Sequence, residues 1–543
     1  MQRFIAPGAA GRPARGGSNG LATQQDGTGS EERRLEEAVS GLVSRSPELS
    51  ASRGLWSWQR GVLIGLAAAG ILGCIWQPEP TLIALLAILA VPFLCVVALR
   101  AVALWNLFRP PASGVRPAQS ASDETPLYTV LVPLYHEAAV VPHLIDALLR
   151  LDYPADRLET MLIVEQVDWR TQAALRAVDL PPHMQVIVVP DGKPRTKPRA
   201  CQYALQLARG ECVVVYDAED LPEPDQLKRA LAALRADPER LGCLQAQLNI
   251  YNSNANWLTR QFTIEYTALF DTILPTLERL DLPVPLGGTS NHFRRAVLDA
   301  VGGWDPYNVT EDADLGIRLA RNGWRVGVLA STTWEEAPPT FRVWRGQRTR
   351  WLKGWMQTYL VHMRQPGRLW RELGAKRFLG FQVLMGGMVL SALVHPWFYV
   401  LLGFDLWHGK LLGVPDTLVG HTLLWVGIVN LLAGYVSAIA LGTVAAARRG
   451  RRKLALHALS MPIYWLAISL GAYRALWQLV SAPYYWEKTE HSARPGVVVS
   501  WGRAEVPDAG GDVCHSQREV RPRAGQIESS ATRSRDGARG QAR

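Results

Sequence analysis

Two short acidic motifs near the middle of the chain have the residue types and spacing for chemistry. Asp217 and Glu219 follow a run of hydrophobic, β-branched residues. Carboxylates on alternate residues at the end of a strand can both reach one hard divalent cation. Glu311 and Asp312 open a second, helical pattern. Acids at a helix start are ordinarily capping or dipole partners, so this motif alone leaves their role open.

Three further polar clusters flank these acids. The cation-rich turn Asp191–Arg199 would place positive charge beside a diphosphate. The small residues of Gly287–Ser290 would let backbone approach a ligand closely. Gln347–Trp351 combines a fixed cation with a flat apolar ring. Each cluster also has an ordinary explanation, namely a solvated loop, a glycine turn or a membrane-surface helix, so the argument depends on the ordered set.

Composition narrows the class of protein. Twenty Trp residues, many beside Arg or at the ends of apolar runs, favour a bilayer boundary. The formal net charge is +10, and the basic residues lie near apolar segments or in the tail. This distribution favours anionic lipid over nucleic acid as the binding partner. Six cysteines show no paired or metal-ligand spacing and are expected to be reduced. They are Cys74, Cys95, Cys201, Cys212, Cys243 and Cys514.

Long apolar runs lie on both sides of the acidic motifs. A transmembrane hairpin is predicted at Gly61–Trp76 and Thr81–Leu99. A cleaved signal peptide is not expected, because the sequence has no apolar segment before this hairpin. Phe378–Phe404 and Leu418–Ala447 are long enough to span. Ala458–Val480 either spans or is re-entrant or interfacial. The positive charges around it favour an interfacial or re-entrant helix over a fifth span.

The intervening region alternates short β-branched runs with helical patterns. This alternation predicts an α/β domain with a mostly parallel, Rossmann-like sheet, whose ligands bind at the carboxyl ends of the strands. Asp217 follows one such predicted strand, Cys212–Asp217. A second amphipathic, interfacial helix is expected at Trp257–Leu274.

Residues 125 to 490 resemble the family 2 glycosyltransferases, the group that contains bacterial cellulose, chitin and hyaluronan synthases. The resemblance is carried by Val132–Glu137, Asp217–Asp220, Thr310–Asp312 and Gln347–Trp351, together with Pro483–His491. It implies a GT-A fold, a UDP-sugar donor, and Mg2+ or Mn2+ held by Asp217 and Glu219. It also implies that Asp312, beside Glu311, is the catalytic base of an inverting transfer.

The resemblance assigns two further groups of residues. Nucleotide-sugar binding is expected from Tyr135, Glu137, Glu165, Asp168, Lys197, Asp217, Gln347 and Arg350. Glu165 and Asp168 are alternatives for one family position that is usually Asp. Acceptor binding is expected from Gly288, Thr289, Ser290 and Trp351.

The expected protein is a multi-pass membrane protein with a cytoplasmic GT-A domain inserted between transmembrane helices. The predicted order is a disordered N-terminal tail (1–55), a transmembrane hairpin (56–109), a linker (110–124), the catalytic domain (125–340), an interfacial amphipathic segment (341–377), a C-terminal membrane region (378–482) and a basic, largely disordered cytoplasmic tail (483–543).

The main functional hypothesis is a cellulose-synthase-like enzyme of the bacterial inner membrane. It would polymerise a β-linked exopolysaccharide from UDP-sugar and extrude it. Its expected partners are the donor, the growing polysaccharide, the lipid bilayer and accessory secretion subunits, with no nucleic acid. Two alternatives remain: a glycosyltransferase that makes a membrane glycolipid, and a catalytically silent scaffold of a secretion complex. The sequence does not identify the sugar, the linkage or any regulation by cyclic-di-GMP.

Overall fold

The structure, a computed structural model, describes residues 28–109, 124–409 and 417–486. Its centre is an eight-stranded mixed sheet with the order β3-β2-β1-β4-β7-β6-β8-β5. The first four strands in this order are mutually parallel, as predicted, and β7 is antiparallel to both of its neighbours. The strands are β1 Tyr128–Leu134, β2 Leu158–Glu165, β3 Met184–Val189, β4 Cys212–Val215, β5 Leu221–Pro222, β6 Leu241–Ile250, β7 Asn291–Arg294 and β8 Arg325–Glu335.

Helices cover both faces of the sheet and continue beyond it. They are α1 Thr28–Arg45, α2 Ser57–Trp76, α3 Pro78–Leu107, α4 Val141–Leu148, α5 Trp169–Arg176, α6 Lys197–Leu205, α7 Gln226–Ala236, α8 Trp257–Ala268, α9 Leu274–Arg279, α10 Arg295–Ala300, α11 Glu311–Arg321, α12 Phe341–His362, α13 Pro366–Phe381, α14 Gly387–Trp407, α15 Leu418–Arg448, α16 Arg452–Ala455 and α17 Met461–Ser481. Strands β1, β2 and β4 are almost entirely buried, which explains their continuous apolar sequences.

The prediction of a disordered N-terminal tail is wrong for residues 28–55, which the structure describes as ordered, with α1 at Thr28–Arg45. Leu35, Ala38 and Leu42 recur at helical spacing, and α1 uses this face to pack against the catalytic domain. Ala38 and Leu42 are buried, and the α1 backbone accepts a hydrogen bond from Gln206. This short apolar stripe was not recognised because the surrounding sequence is rich in polar residues. The tails before residue 28 and after residue 486 lie outside the described residues, as does most of the linker.

Within the described ranges, five helical segments are long and apolar enough to cross a membrane. They are Ser57–Trp76, Pro78–Leu107, Pro366–Phe404, Leu418–Arg448 and Arg452–Ser481. Gly374 breaks the third segment near its start, with φ 72° and ψ 167°. The four predicted spans and the ambiguous fifth run therefore all appear as helices.

The fifth segment lies beside α12 along the length of α17. At one end, the Trp344 indole donates to the Tyr464 hydroxyl at 3.1 Å. At the other end, Lys353 donates to the Ala482 carbonyl at 3.1 Å. The last apolar helix therefore packs directly against α12.

Two segments that were expected to lie on the bilayer surface are instead enclosed by protein. In α12, Trp344 and Lys353 are fully buried. In α8, Leu258, Phe262 and Ile264 are buried among the catalytic domain and the apolar helices. The basic and aromatic residues of these helices therefore stabilise the joint between the domain and the membrane region.

The basic loop after α15 contacts the catalytic domain directly. Arg449 Nε and Nη2 donate to the two carboxylate oxygens of Asp271, at 2.6 and 2.7 Å, and Arg449 Nη1 donates to the Thr332 hydroxyl at 2.9 Å. Arg451 donates to the Ile250 carbonyl at 2.8 Å. These contacts fix the loop to the domain.

Candidate active site

A cavity of about 810 Å³ opens where β1, β2, β4 and β8 end. This is the edge at which parallel sheets bind ligands. Seven carboxylates but only four cationic side chains line it, so the cavity has an acidic excess. The carboxylates are Glu137, Glu165, Asp217, Glu219, Glu311, Asp312 and Glu335, and the cations are Lys193, Arg195, Lys197 and Arg350.

Three of the predicted functional side chains converge on Gly288. A methyl group at Gly288 would lie 3.3 Å from Asp312 Oδ2, 3.9 Å from Asp217 Oδ2 and 3.9 Å from Lys197 Nζ. Asp217 follows β4, Lys197 begins α6 and Asp312 lies in the first turn of α11, so distant parts of the sequence meet at one point. The absent side chain leaves space between the two carboxylates.

The Gly288 loop is fixed by its neighbours in the sheet. The Gly287 N–H donates to Gln245 at 2.7 Å, and the Gly287 carbonyl accepts from Asn291 at 2.6 Å. Thr289 lines the cavity and donates to the Asp220 carboxylate. Ser290, which was predicted to bind acceptor, lies outside the cavity lining: it is fully buried and donates to Thr333 at 2.7 Å.

Lys197 is the cation closest to the paired acids. Its ammonium forms an ion pair with Asp217 and donates to the Gly288 carbonyl at 2.6 Å. Burial alone lowers the pKa of Lys197, but Asp217 and Glu311 more than reverse this, and the net pKa is raised. The ammonium is therefore charged at neutral pH.

The other acids lie too close together for all of them to ionise. Burial, with Asp217 and Glu137 nearby, raises the pKa of Glu219 to about 8. Burial and the neighbouring acids also raise the pKa of Glu335 well above its ordinary value. Like charges held close in a partly dry cavity oppose ionisation, so the site favours additional positive charge.

The first turn of α11 presents Glu311 and Asp312 to the cavity. Burial raises the pKa of Asp312 to about 6, although the Ala313 N–H donates to its carboxylate at 2.7 Å. Burial and the adjacent Asp312 raise the pKa of Glu311 to about 8. A pKa of about 6 leaves Asp312 mostly ionised at neutral pH, and its basicity exceeds that of an ordinary aspartate.

Helix α12 supplies an aromatic platform beside the acids. The Trp351 ring stacks on Tyr266 with centroids 5.9 Å apart, and Phe262 lies at the same distance in a tilted arrangement. The Arg348 guanidinium lies 4.8 Å from the Trp351 ring centroid and is fixed by two 2.7 Å bonds to Glu265. The ring is thus held rigidly where it lines the cavity.

The position of α12 depends on Gly354. A methyl group there would lie 2.3 Å from the Thr310 hydroxyl oxygen and 2.4 Å from its methyl carbon. Thr310 immediately precedes α11, which carries Asp312. A glycine at this position therefore permits the platform helix to contact the start of the helix that carries the acids.

Gln347 and Arg350 both line the cavity, as predicted. The buried Gln347 Oε1 accepts no hydrogen bond from the described residues, so its acceptor capacity is available to a ligand. Arg350 lies with its guanidinium carbon 4.5 Å from the Trp486 ring centroid.

The predicted donor-side residues divide into two groups. Tyr135, Glu137 and Glu165 line the cavity. Asp168 does not line the cavity. One carboxylate oxygen accepts from the Thr171 N–H at 3.2 Å and so caps α5, and the other accepts from the His136 N–H at 2.5 Å. Of the two alternatives at this position, the structure therefore places only Glu165 in the cavity, where it forms a buried ion pair with Arg199.

Several lining residues were missed by the sequence analysis. Glu335 ends β8 and faces the same cavity as Asp217. Tyr484, Tyr485 and Trp486 also line it, although they follow α17, more than 100 residues beyond the platform helix. Glu335 directly follows a β-branched strand, a signal that could have been used. No local signal reveals that the chain returns after α17.

The acids of the cavity suit a divalent cation that is held jointly by protein and substrate. Among residues 28–109, 124–409 and 417–486, no group of three or more His, Cys, Asp or Glu side chains could hold a metal ion by itself. Magnesium, however, is commonly held by one or two carboxylates together with substrate phosphates. Asp217 and Glu219, within an acidic excess, fit that kind of site.

Comparisons with known proteins agree with this geometry. Residues 126–354 match the family model described as glycosyltransferase like family 2. The chain is 30% identical over 301 residues to β-monoglucosyldiacylglycerol synthase of Synechocystis sp., covering 52% of this chain and 62% of that protein. It is 29% identical over 244 residues to probable glucomannan 4-β-mannosyltransferase 1 of Arabidopsis thaliana, covering 43% of each.

Both alignments thus span less than two thirds of the relatives' own lengths. A solved mannosyltransferase of Pyrobaculum calidifontis, in complex with GDP-Man and Mn2+, aligns with 73% of this chain and 99% of that one, at 20% identity and a TM-score of 0.47. The family match spans the sheet, the acidic motifs and the start of α12. Residues 126–354 therefore form a glycosyltransferase-like family 2 domain, flanked by apolar helices that could span a membrane.

Proposed function

We propose that this protein transfers sugar from a UDP-sugar, with inversion, to the end of a growing β-linked polysaccharide, and that the product leaves across the bacterial inner membrane. The observation that carries the proposal is the convergence of Asp217, Asp312 and Lys197 around Gly288 within one cavity. A donor diphosphate needs a nearby cation, which Lys197 provides. An acceptor hydroxyl needs a proton acceptor, and the carboxylate of Asp312 lies beside the same glycine.

In the proposed reaction, Asp312 takes the proton from the acceptor hydroxyl as its oxygen attacks the anomeric carbon. One base opposite the leaving group produces direct displacement, hence inversion. Lys197 and Arg350 place positive charge beside the diphosphate as negative charge develops on it. Mg2+ or Mn2+ bound at Asp217 and Glu219 would supply further stabilisation of the leaving diphosphate.

Trp351 is proposed to hold the terminal sugar of the acceptor. A flat, rigid aromatic surface suits the apolar face of a sugar ring. Its support by Tyr266 and Arg348 keeps the ring in place without a bound ligand. Gly288 and Thr289 would let the acceptor approach between the two carboxylates, because no side chain occupies that space at Gly288.

A second candidate function is synthesis of a membrane glycolipid. It is favoured by the similarity to the Synechocystis protein, whose name describes a glucosyldiacylglycerol synthase. The glucomannan mannosyltransferase similarity favours a polymer instead. Purified protein incubated with radiolabelled UDP-sugar separates these functions. A polymer synthase produces glycan of high molecular weight, whereas a glycolipid synthase produces label that enters chloroform and stays small.

The same assay tests the scaffold alternative. A scaffold would produce no transfer with any nucleotide sugar, including UDP-glucose, UDP-N-acetylglucosamine and GDP-mannose, with Mg2+ or Mn2+ present. Transfer with any one donor excludes it, and linkage analysis of the product then identifies the bond formed. Cytoplasmic orientation and accessory secretion subunits form part of the proposal, and protease accessibility in oriented vesicles tests the first.

A further inference from the structure

A short aromatic segment after α17, Ala482–Trp486, forms one wall of the cavity; we call it the aromatic strap. The side chains of Tyr484, Tyr485 and Trp486 line the cavity directly. The strap follows the last apolar helix. What holds it against the catalytic domain is a set of non-covalent contacts.

Helix α12 holds one side of the strap. Lys353 donates to the carbonyls of Ala482, at 3.1 Å, and Tyr485, at 2.8 Å. Gln357 donates to the Pro483 carbonyl at 2.9 Å. These contacts satisfy the strap's backbone from the helix that carries Trp351.

The N-terminal segment holds the other side. The Tyr484 hydroxyl donates to the Ser52 carbonyl at 2.6 Å, with the Ala51 carbonyl 3.2 Å away. Residues 47–54 lie immediately before the first apolar helix, more than 400 residues from the strap in sequence. We call residues 47–54 the anchor segment. One hydroxyl group thus joins segments that precede the first apolar helix and follow the last one.

The anchor segment is itself fixed to the catalytic domain. Arg364 donates to the carbonyls of Glu48 at 3.0 Å, Ser50 at 2.7 Å and Gly54 at 2.6 Å. The buried Asp305 accepts from the Ser50 hydroxyl at 3.0 Å and from the Ala51 N–H at 2.6 Å.

A second contact joins Asp305 to the strap. Asp305 accepts from the Tyr307 N–H at 3.1 Å. The Tyr307 ring meets Tyr484 edge to face, with centroids 5.6 Å apart, and both rings line the cavity. The anchor therefore positions the Tyr484 ring from the hydroxyl end while Tyr307 packs against its side.

We propose that Tyr484 is a positioning residue: through its hydroxyl, the anchor segment holds the aromatic strap against the cavity. A tyrosine is required because a phenylalanine would keep the ring and its contact with Tyr307 but lose the bond to Ser52. Contacts to α12 would remain, so the strap would stay folded but would separate from the domain more often. Donor binding would weaken because one wall of its site would be less often in place.

The test compares Tyr484→Phe with Tyr153→Phe in the full-length protein in nanodiscs. The Tyr153 hydroxyl also donates to a backbone carbonyl, that of Pro126 at 2.7 Å, but Tyr153 does not line the cavity. Each variant thus loses the same kind of bond. Hydrogen–deuterium exchange is measured across residues 482–486 without substrate, so this readout does not depend on the proposed function.

We expect Tyr484→Phe to speed exchange in the strap by roughly three- to tenfold, which corresponds to one ordinary hydrogen bond. Tyr153→Phe should leave strap exchange unchanged. Equal exchange in wild type and Tyr484→Phe would overturn the inference. So would an equal increase throughout the catalytic domain, because that result means general destabilisation.

A kinetic arm rests on the proposed function. With an active donor, Tyr484→Phe should raise the donor KM by roughly three- to tenfold and change kcat less, whereas a purely structural loss would lower the active fraction and hence kcat. Asp305→Asn, which weakens the far end of the anchor, should add little to Tyr484→Phe in the double variant. Full additivity would show that the two residues act separately and would overturn the anchor.

Discussion

Lys197 forms an ion pair with Asp217 inside the cavity, and the same ammonium donates to the Gly288 carbonyl. The pair neutralises Asp217 but leaves Glu219, whose pKa is raised to about 8, in an acidic surrounding. A divalent cation that arrives with the donor would therefore share Asp217 with Lys197 and relieve the repulsion around Glu219.

Removal of metal should abolish sugar transfer. We expect chelation with EDTA to stop incorporation of labelled sugar, and added Mn2+ or Mg2+ to restore it. Glu219→Gln removes one proposed ligand and should raise the half-saturating metal concentration by about tenfold or more. The measurement is transfer rate against free metal concentration.

The matched control for charge is Glu211→Gln. Glu211 is exposed just before β4, and its replacement should leave the metal curve unchanged. Wild-type activity that persists in excess chelator would contradict the metal assignment, whatever the variants do.

Asp312→Asn should remove the proposed base while preserving the fold. An amide of the same shape cannot take a proton at neutral pH, so kcat should fall by roughly 10²- to 10⁴-fold. The measurement is initial transfer rate at saturating donor, with thermal unfolding as a check on folding. Asp299→Asn is the control, because Asp299 pairs with Arg295 on the surface. Comparable rates in Asp312→Asn and wild type would exclude Asp312 as the base.

The pH profile should show an acid limb near pH 6. Burial raises the pKa of Asp312 from 3.8 to about 6, and only its ionised form can accept a proton. Therefore kcat/KM should be at its plateau above this pKa and should fall as pH drops below it. The profile is measured at saturating metal, so that metal loss does not imitate the limb. A midpoint near pH 4 would mean that the working Asp312 is not desolvated as the structure shows.

Gly288→Ala should impair catalysis more than stability. Its methyl group would lie 3.3 Å from Asp312 Oδ2 and would occupy the space between the two acids. We expect kcat to fall about tenfold, because small displacements of a catalytic group cost rate steeply. Gly367→Ala is the control: its methyl group meets nothing within 4 Å, and alanine favours a helix. An unchanged kcat in Gly288→Ala would show that the acceptor does not use this space.

Asp271→Asn should weaken the joint between the domain and the basic loop. Asp271 and Arg449 are 12% and 18% exposed, so the variant leaves a largely buried guanidinium without its carboxylate. Breaking a buried pair costs several kcal/mol, and about 2–3 kcal/mol is expected for this partly exposed one. The apparent midpoint of thermal unfolding should fall by several degrees, whereas Asp299→Asn should not change it. Equal unfolding midpoints in wild type and Asp271→Asn would mean that the Asp271–Arg449 ion pair contributes nothing measurable to stability.

The sequence predicted the parts of the fold that local pattern determines. The strands around β4 and the helical membrane runs were predicted because their apolar residues are continuous and long enough. The convergence of Asp217 and Asp312 in one cavity was also predicted, through the family resemblance. The family match confirms that residues 126–354 resemble family 2 glycosyltransferases, whereas the catalytic and binding roles of individual residues stay predictions.

What could not be predicted depends on contacts distant in sequence. Asp168 has the right residue type, but one of its oxygens caps α5 and the other accepts from the His136 N–H, and only the folded backbone reveals this. Ser290 was expected from its place in a glycine-rich loop, yet its left-handed backbone, with φ 57°, turns the chain into the sheet. The return of Tyr484 to residues 51 and 52 has no counterpart in any local pattern.

Gly354 permits close packing of α12, which carries Trp351, against the start of α11, which carries Asp312. The absent side chain leaves room for the Thr310 side chain, whose hydroxyl oxygen and methyl carbon would lie 2.3 and 2.4 Å from a methyl group at position 354. A larger residue at position 354 would force the helices apart. Under the proposed roles of Trp351 and Asp312, the space for an acceptor between them therefore depends on a missing side chain at Gly354, a residue outside the described lining of the cavity.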